Sequence, residues 1–333
     1  MAANSHRWLD RALRWQARAA SLAIAGAIAL AAGGLRFGLT AQITVLLAGI
    51  VLVGFPHGAF DHLVARPVLA PRLGRFWWVP FGLAYLGLAG LVWLAWMLAP
   101  LPTLVLFLAG SVLHFGLGDI EDGLAPGRLP RWAAVLTYGA LPILLPVAFH
   151  PLQAAPLLTA IGGVAPSPME AALSLWLWLV PLWGAAFVWL CVKAQPQSTR
   201  VVSAAITAAG FVLLPPLLAF GLYFGLVHSP RHLLRLGAWH DSTDPRRAAQ
   251  WVAGVVVPAS LVCALGIIGI ALTTQDVSIG MLVPIFRIIA ALTLPHMIVT
   301  SWLGAAARRT SGGGNRSSPT FFRLRPITVA RKE

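Results

Sequence analysis

Between Ala19 and Leu303 the sequence is a succession of apolar runs joined by short connections, and most of the runs are long enough to cross a bilayer. No other feature constrains the fold as strongly. Inside hydrocarbon every backbone N–H and C=O must be satisfied within the protein, which leaves helices or closed barrels. The runs are continuous rather than alternating, so helices are expected and the fold class is all-α, a polytopic transmembrane bundle. Only 10% of the residues are charged, against about 25% in soluble domains.

The positions of the charges carry the topology. Arginine and lysine concentrate at the chain ends and in connecting loops, as cytoplasmic loops of membrane proteins do. This accounts for the net charge of +14 without a basic face, and nucleic acid is excluded as a partner. Cys191 and Cys263 lie inside apolar runs and form neither a disulfide framework nor a CxxC site. The sequence divides into a basic cytoplasmic segment over 1–18, a transmembrane catalytic domain over 19–303, and a basic tail over 304–333 expected to be disordered. Residues 150–170 contain no Lys or Arg and several Pro and Gly, and read as an external loop.

The stretch from Val201 to Leu236 decides the number of crossings. As one helix its 36 residues would extend roughly 54 Å, against a hydrocarbon core of about 30 Å. Pro215-Pro216 should break it, because proline removes a backbone donor and clashes with the preceding turn. Two crossings here give ten spans and place both termini in the cytoplasm. A nine-span alternative would export Arg231, Arg235, Arg246, Arg247 and the seven Lys/Arg residues after Leu303.

Ionisable side chains at membrane depth are costly and usually functional. His57, His62, His114, His228, His232 and His296 all fall in or beside apolar runs; His6 lies in the basic N-terminal segment, His150 begins the external loop and His240 is loop-borne, and these three are set aside. Ten spans put His57, His114, His228, His232 and His296 at one depth. His228 and His232 stand four residues apart, which places two imidazoles on one helix face. Ser229-Pro230 between them reads as an N-cap and first-turn proline, so a helix is expected to restart there. Neutral imidazoles without cysteine suit iron or zinc. Asp61 and Asp119 are placed to orient the rings, and Arg231 reads as a supporting cation. Phe60, Phe115, Phe220, Tyr223 and Phe224 are candidate walls for an apolar substrate entering from the lipid bilayer.

Pro56-His-Gly-Ala-Phe-Asp-His62, His114-Phe-Gly-Leu-Gly-Asp119, His228-Ser-Pro-Arg-His232 and Leu294-Pro-His-Met297 resemble, in this order, the signature blocks of the Brp/Blh family. Those are prokaryotic integral-membrane β-carotene 15,15′-dioxygenases. The resemblance implies Fe(II) held by His57, His114, His228 and His232. It implies cleavage of the central double bond of β-carotene by O2, giving two molecules of all-trans-retinal for a rhodopsin. It also implies a multi-pass protein of the cell's inner (plasma) membrane. His62 and His296 are left as pocket or supporting residues. Two alternatives stand beside this reading: a histidine-box desaturase or hydroxylase, which would need more histidines and two metals, and a carotenoid or retinal carrier without turnover.

Overall fold

Each apolar run folds as helix, as its uninterrupted hydrophobicity requires. The computed structural model describes residues 7–120, 131–193, 199–274 and 279–310, and contains no strand among them. In chain order the helices are α1 (Arg7–Ala32), α2 (Leu39–Gly49), α3 (Phe55–Gly58), α4 (Asp61–Leu73), α5 (Trp78–Leu98), α6 (Pro100–Ile120), α7 (Arg131–Phe149) and α8 (Pro151–Gly162). They continue as α9 (Pro166–Ser174), α10 (Val180–Lys193), α11 (Thr199–Leu213), α12 (Pro216–Leu222), α13 (Ser229–His240), α14 (Pro245–Thr274) and α15 (Ile279–Thr310). Eight helical segments among the described residues are long and apolar enough to cross a membrane. The chain is therefore a multi-pass helical bundle. Its outer faces display leucine to lipid: Leu83 on α5 and Leu265 on α14 are 71% and 69% exposed.

The basic residues from Arg7 to Arg18 form the opening turns of α1. Residues 150–170, expected as an external loop, hold α8 and the start of α9. Most of the prolines and glycines that suggested a loop sit at helix ends, and Pro156 is accommodated inside α8. Pro151 occupies the first turn of α8, where its missing N–H costs nothing, and Gly163 ends the helix with φ of 64°. Ala154, Ala155 and Ile161 of α8 are buried in an apolar cluster with Trp96 and Leu104.

Pro215, with φ −54° and ψ 143°, does break the 201–236 stretch. Its first part supplies only the short apolar helix Val201–Leu213, and the two flanking pieces both pack on α1. A Cβ at Gly210 of α11 would meet Ile24, and Gln16 donates to the carbonyl of Leu226. The loop around Asp276, the acidic loop containing Glu121 and Asp122, and the tail beyond Thr310 lie outside the described residues.

In lipid, helices associate chiefly by close van der Waals packing at small residues. Two such crossings anchor the interior. At one, α6 meets α7 so closely that a Cβ on Gly116 would lie 2.0 Å from the Val135 carbonyl oxygen, and one on Gly139 would lie 1.8 Å from that of Val112. At the other, α2 crosses α12, where a Cβ on Gly221 would lie 2.9 Å from the Leu46 backbone. These crossings fix the positions of the segments that carry the histidines.

Candidate metal centre

Two π-helical turns prepare the site. Ile50–Gly54 links α2 to α3 three residues before His57, and Tyr223–His228 links α12 to α13 and ends on a histidine. A π turn adds a residue to the helix, rotating everything after it, and such turns recur at functional sites. The two turns face each other. Gly54 is required there, because a Cβ would lie 2.3 Å from a ring carbon of Phe224. Gly49 packs likewise against Gly225. The helix does not restart at Ser229-Pro230 as expected. His228 has helical φ and ψ (−68°, −61°), no side chain caps Ser229, and Pro230 falls in the first turn of α13. The rod continues, so His228 and His232 keep the one-face relation that their spacing implies.

The helices bring five imidazoles together from four parts of the chain. One nitrogen each of His57, His114 and His228 lies within 4.8 Å of the others. The Nε2 atoms of His114 and His228 are 3.3 Å apart. The His232 ring lies 5.5 Å from that of His57. The His296 ring lies 5.0 Å from His57, 5.3 Å from His114 and 5.8 Å from His232. His57, His228 and His296 are buried.

Each aspartate faces a histidine from a different sequence block. Asp119, on the block of His114, faces Nδ1 of His228 at 4.0 Å; it accepts the Tyr223 hydroxyl at 3.0 Å and lies 3.6 Å from Arg231. Asp61, on the block of His57, accepts Nδ1–H of His296 at 2.8 Å and the Tyr85 hydroxyl at 2.9 Å. A neutral imidazole carries one N–H and one lone pair. Asp61 at Nδ1 of His296 therefore leaves that ring's Nε2 as the lone-pair donor, the arrangement that orients metal-binding histidines.

An apolar cavity of about 540 Å³ opens beside the cluster, lined by His57, His114 and His296 and by residues of α5, α6, α7, α8, α12 and α15. The volume is that of a small-molecule site. Phe115, Phe220 and Phe224 line it as expected; Phe60 and Tyr223 do not. Phe60 is fully buried against Trp251, 5.0 Å away, because the turn after α3 points it to the opposite side of the helix. Tyr223 is turned inward by its bond to Asp119. His62 is at the cavity's edge, exposed, with its ring nitrogen 2.9 Å from the Ala59 carbonyl, and stands away from the imidazole cluster. Arg231 is buried and donates from Nε to Gln16 of α1 at 3.4 Å. Of the histidines set aside, His150 bonds the Val212 carbonyl and His240 stacks on Trp251; His6 lies outside the described residues.

Sequence reasoning missed Tyr85, Gln16 and the contribution of α8. A tyrosine in an apolar run does carry one usable signal, since a buried hydroxyl needs a partner. Nothing in the sequence says that the partner is Asp61.

The residues fit a metal ion. Two nitrogens bound to one ion at about 2.1 Å, with an angle between about 90° and 110°, would stand roughly 3.0–3.4 Å apart, and the His114–His228 separation falls in this range. Nδ1 of His57 and Nε2 of His296 are buried and lack a hydrogen-bond partner in the protein. Such atoms are expensive unless something else satisfies them.

A sequence-family model described as Beta-carotene 15,15'-dioxygenase matches residues 48–304. The chain is 29% identical over 338 residues to a protein of Halobacterium salinarum named Probable beta-carotene 15,15'-dioxygenase Blh, covering 91% of this chain and 95% of that one. It is 25% identical over 264 residues to the Beta-carotene 15,15'-dioxygenase of an uncultured marine bacterium, 66A03, covering 77% and 92%. A second Halobacterium salinarum protein, Probable beta-carotene 15,15'-dioxygenase Brp, is 26% identical over 334 residues, covering 86% and 90%. No solved structure matches the chain.

Proposed function

The chain belongs to the beta-carotene 15,15'-dioxygenase family, and on that premise we propose that it cleaves β-carotene with O2 at the 15,15′ double bond to give two molecules of retinal. The supporting observation is the juxtaposition of the imidazole cluster and the apolar cavity: three of the histidines line the space in which a polyene would lie. The reaction balances without an added reductant. The central C=C bond is lost, and the two oxygen atoms of O2 become the two aldehyde oxygens. Retinal of this kind would supply a rhodopsin.

Fe(II) is the proposed metal, with His57, His114, His228 and His232 as the residues that hold it. Bound there, it would supply the redox chemistry with O2 that side chains alone cannot. The protein's own contribution is orientation and exclusion of water. Phe115 and Phe224 line the cavity and, with Phe220, would confine a rigid polyene. Asp119, held by Tyr223 and Arg231, stands 4.0 Å from Nδ1 of His228, whose Nε2 faces His114. Burial of the site in the bundle keeps bulk water from the reacting double bond.

Protein purified in detergent, loaded with Fe(II) and given β-carotene in air, is expected to yield all-trans-retinal as the carotenoid product. Chromatography showing apocarotenals of unequal length would overturn the assigned bond. A hydroxylated or desaturated carotenoid would replace the dioxygenase reading with the histidine-box alternative. Carotenoid that remains bound without turnover would indicate a carrier.

The proposed orientation in the cell's plasma membrane places both termini in the cytoplasm. It is supported by Arg7, Arg11, Arg14 and Arg18 at one end and the basic tail at the other. Reporter fusions at the N-terminus and after Leu303 should both give the cytoplasmic signal; an external signal from the second would restore the nine-span alternative.

A further inference from the structure

His296 stands against the imidazole cluster on the same terms as His232. Both lie outside the trio whose nitrogens share a 4.8 Å radius, and both rings approach that of His57, at 5.0 Å for His296 and 5.5 Å for His232. Three further observations single out His296. Its Nδ1–H is fixed by Asp61 at 2.8 Å, and Asp61 is itself fixed by the Tyr85 hydroxyl at 2.9 Å. With the proton on Nδ1, the lone pair is on Nε2, and this atom is buried with no hydrogen-bond partner. His296 also lines the cavity, which His228 and His232 do not.

A purely structural His–Asp pair would satisfy the pair and leave the other ring nitrogen bonded elsewhere or in solvent. Here the remaining nitrogen is buried and unbonded, and the rings of His57, His114 and His232 stand 5.0–5.8 Å from the His296 ring, centre to centre. Tyrosine to carboxylate to imidazole is a chain of oriented donors ending in a lone pair, which is how proteins hold a histidine on a metal. The three residues come from α5, α4 and α15, so the bonds also tie the cavity's walls to the cluster.

We propose that His296, held by Asp61 and Tyr85, is a metal-holding residue that presents Nε2 to the same ion as His57, His114 and His228, on the side facing the cavity. The inference rests on the metal site of the preceding reading and extends it by a ligand.

The test uses Co(II), whose visible absorption responds to the number and geometry of its nitrogen ligands, titrated into metal-free full-length protein in detergent. His296→Ala is expected to weaken Co(II) affinity at least about 10-fold, to alter the absorption band at saturation, and to recover both on addition of imidazole. Asp61→Asn, which leaves the ring in place, is expected to weaken affinity by about 10–100-fold; it keeps the test decisive if His296→Ala does not fold. An unchanged band at saturation in His296→Ala would overturn the proposal, because a supporting role would alter affinity without changing the ligand set. In that variant's absence, unchanged affinity in Asp61→Asn would do the same. If the unsubstituted protein takes up neither Co(II) nor Fe(II), the metal reading itself fails, and this proposal with it. If metal is bound as expected but no retinal is made, the assigned reaction fails while the ligand assignment is still decided by the spectra.

Discussion

Alanine in place of His57, His114 or His228 is expected to reduce retinal formation to background and to leave the purified protein with little iron. The three donate the nitrogens that lie within 4.8 Å of one another, so each removal opens the set that must close around a single ion. His232→Ala should fall with them, although its ring stands at the trio's margin. The contrast with an orienting residue gives the prediction its content. Asp119→Asn leaves His228 in place and loosens its orientation, and losses of that kind typically cost about 10–100-fold. Partial activity should therefore persist in Asp119→Asn and be absent from His228→Ala. Iron per chain and retinal formed per hour, measured on monodisperse protein, check both. Appreciable turnover in iron-loaded His228→Ala would show that the chemistry lies elsewhere.

Gly139→Ala is expected to damage the whole bundle, although it changes one hydrogen for a methyl group. The new Cβ would have to occupy a point 1.8 Å from the Val112 carbonyl oxygen, and the obstacle is backbone, which no rotamer change can move. Helices α6 and α7 must separate, and α6 carries His114 two residues after Val112. Overpacking a core typically costs about 1–3 kcal/mol and occasionally more; a backbone obstacle belongs at or above the top of that range. Gly87→Ala is the matched control, on a helix with nothing within 4 Å of the new methyl, and alanine is the better helix former. Thermal unfolding in detergent should show a large loss for Gly139→Ala and none for Gly87→Ala. Equal stability would mean that the close approach of α6 and α7 does not hold the bundle together.

The sequence by itself determined the fold class, because uninterrupted apolar runs have only one economical way to satisfy their backbone in lipid. It determined the break at Pro215, since proline's missing donor and ring clash are local effects that no packing removes. It also marked the histidine blocks, as imidazoles are conspicuous where charge is scarce. Local rules failed where the outcome depended on partners. The prolines and glycine around α8 signalled a loop because cap residues and loop residues are the same residues; only burial of Ala154, Ala155 and Ile161 made that stretch a packed helix.

The site's wiring was likewise a matter of tertiary structure. Asp61 stands four residues from His57 in the chain, yet bonds His296 of α15; Asp119 stands five from His114, yet faces His228. Tyr223 and Phe224 are neighbours in one π turn, and one holds a carboxylate while the other lines the cavity. Residue type and spacing specify which groups can bond, but not which helix will face which. That choice was made by glycine contacts such as Gly54 on Phe224 and Gly116 on Val135, where a single added methyl would separate the helices and their histidines.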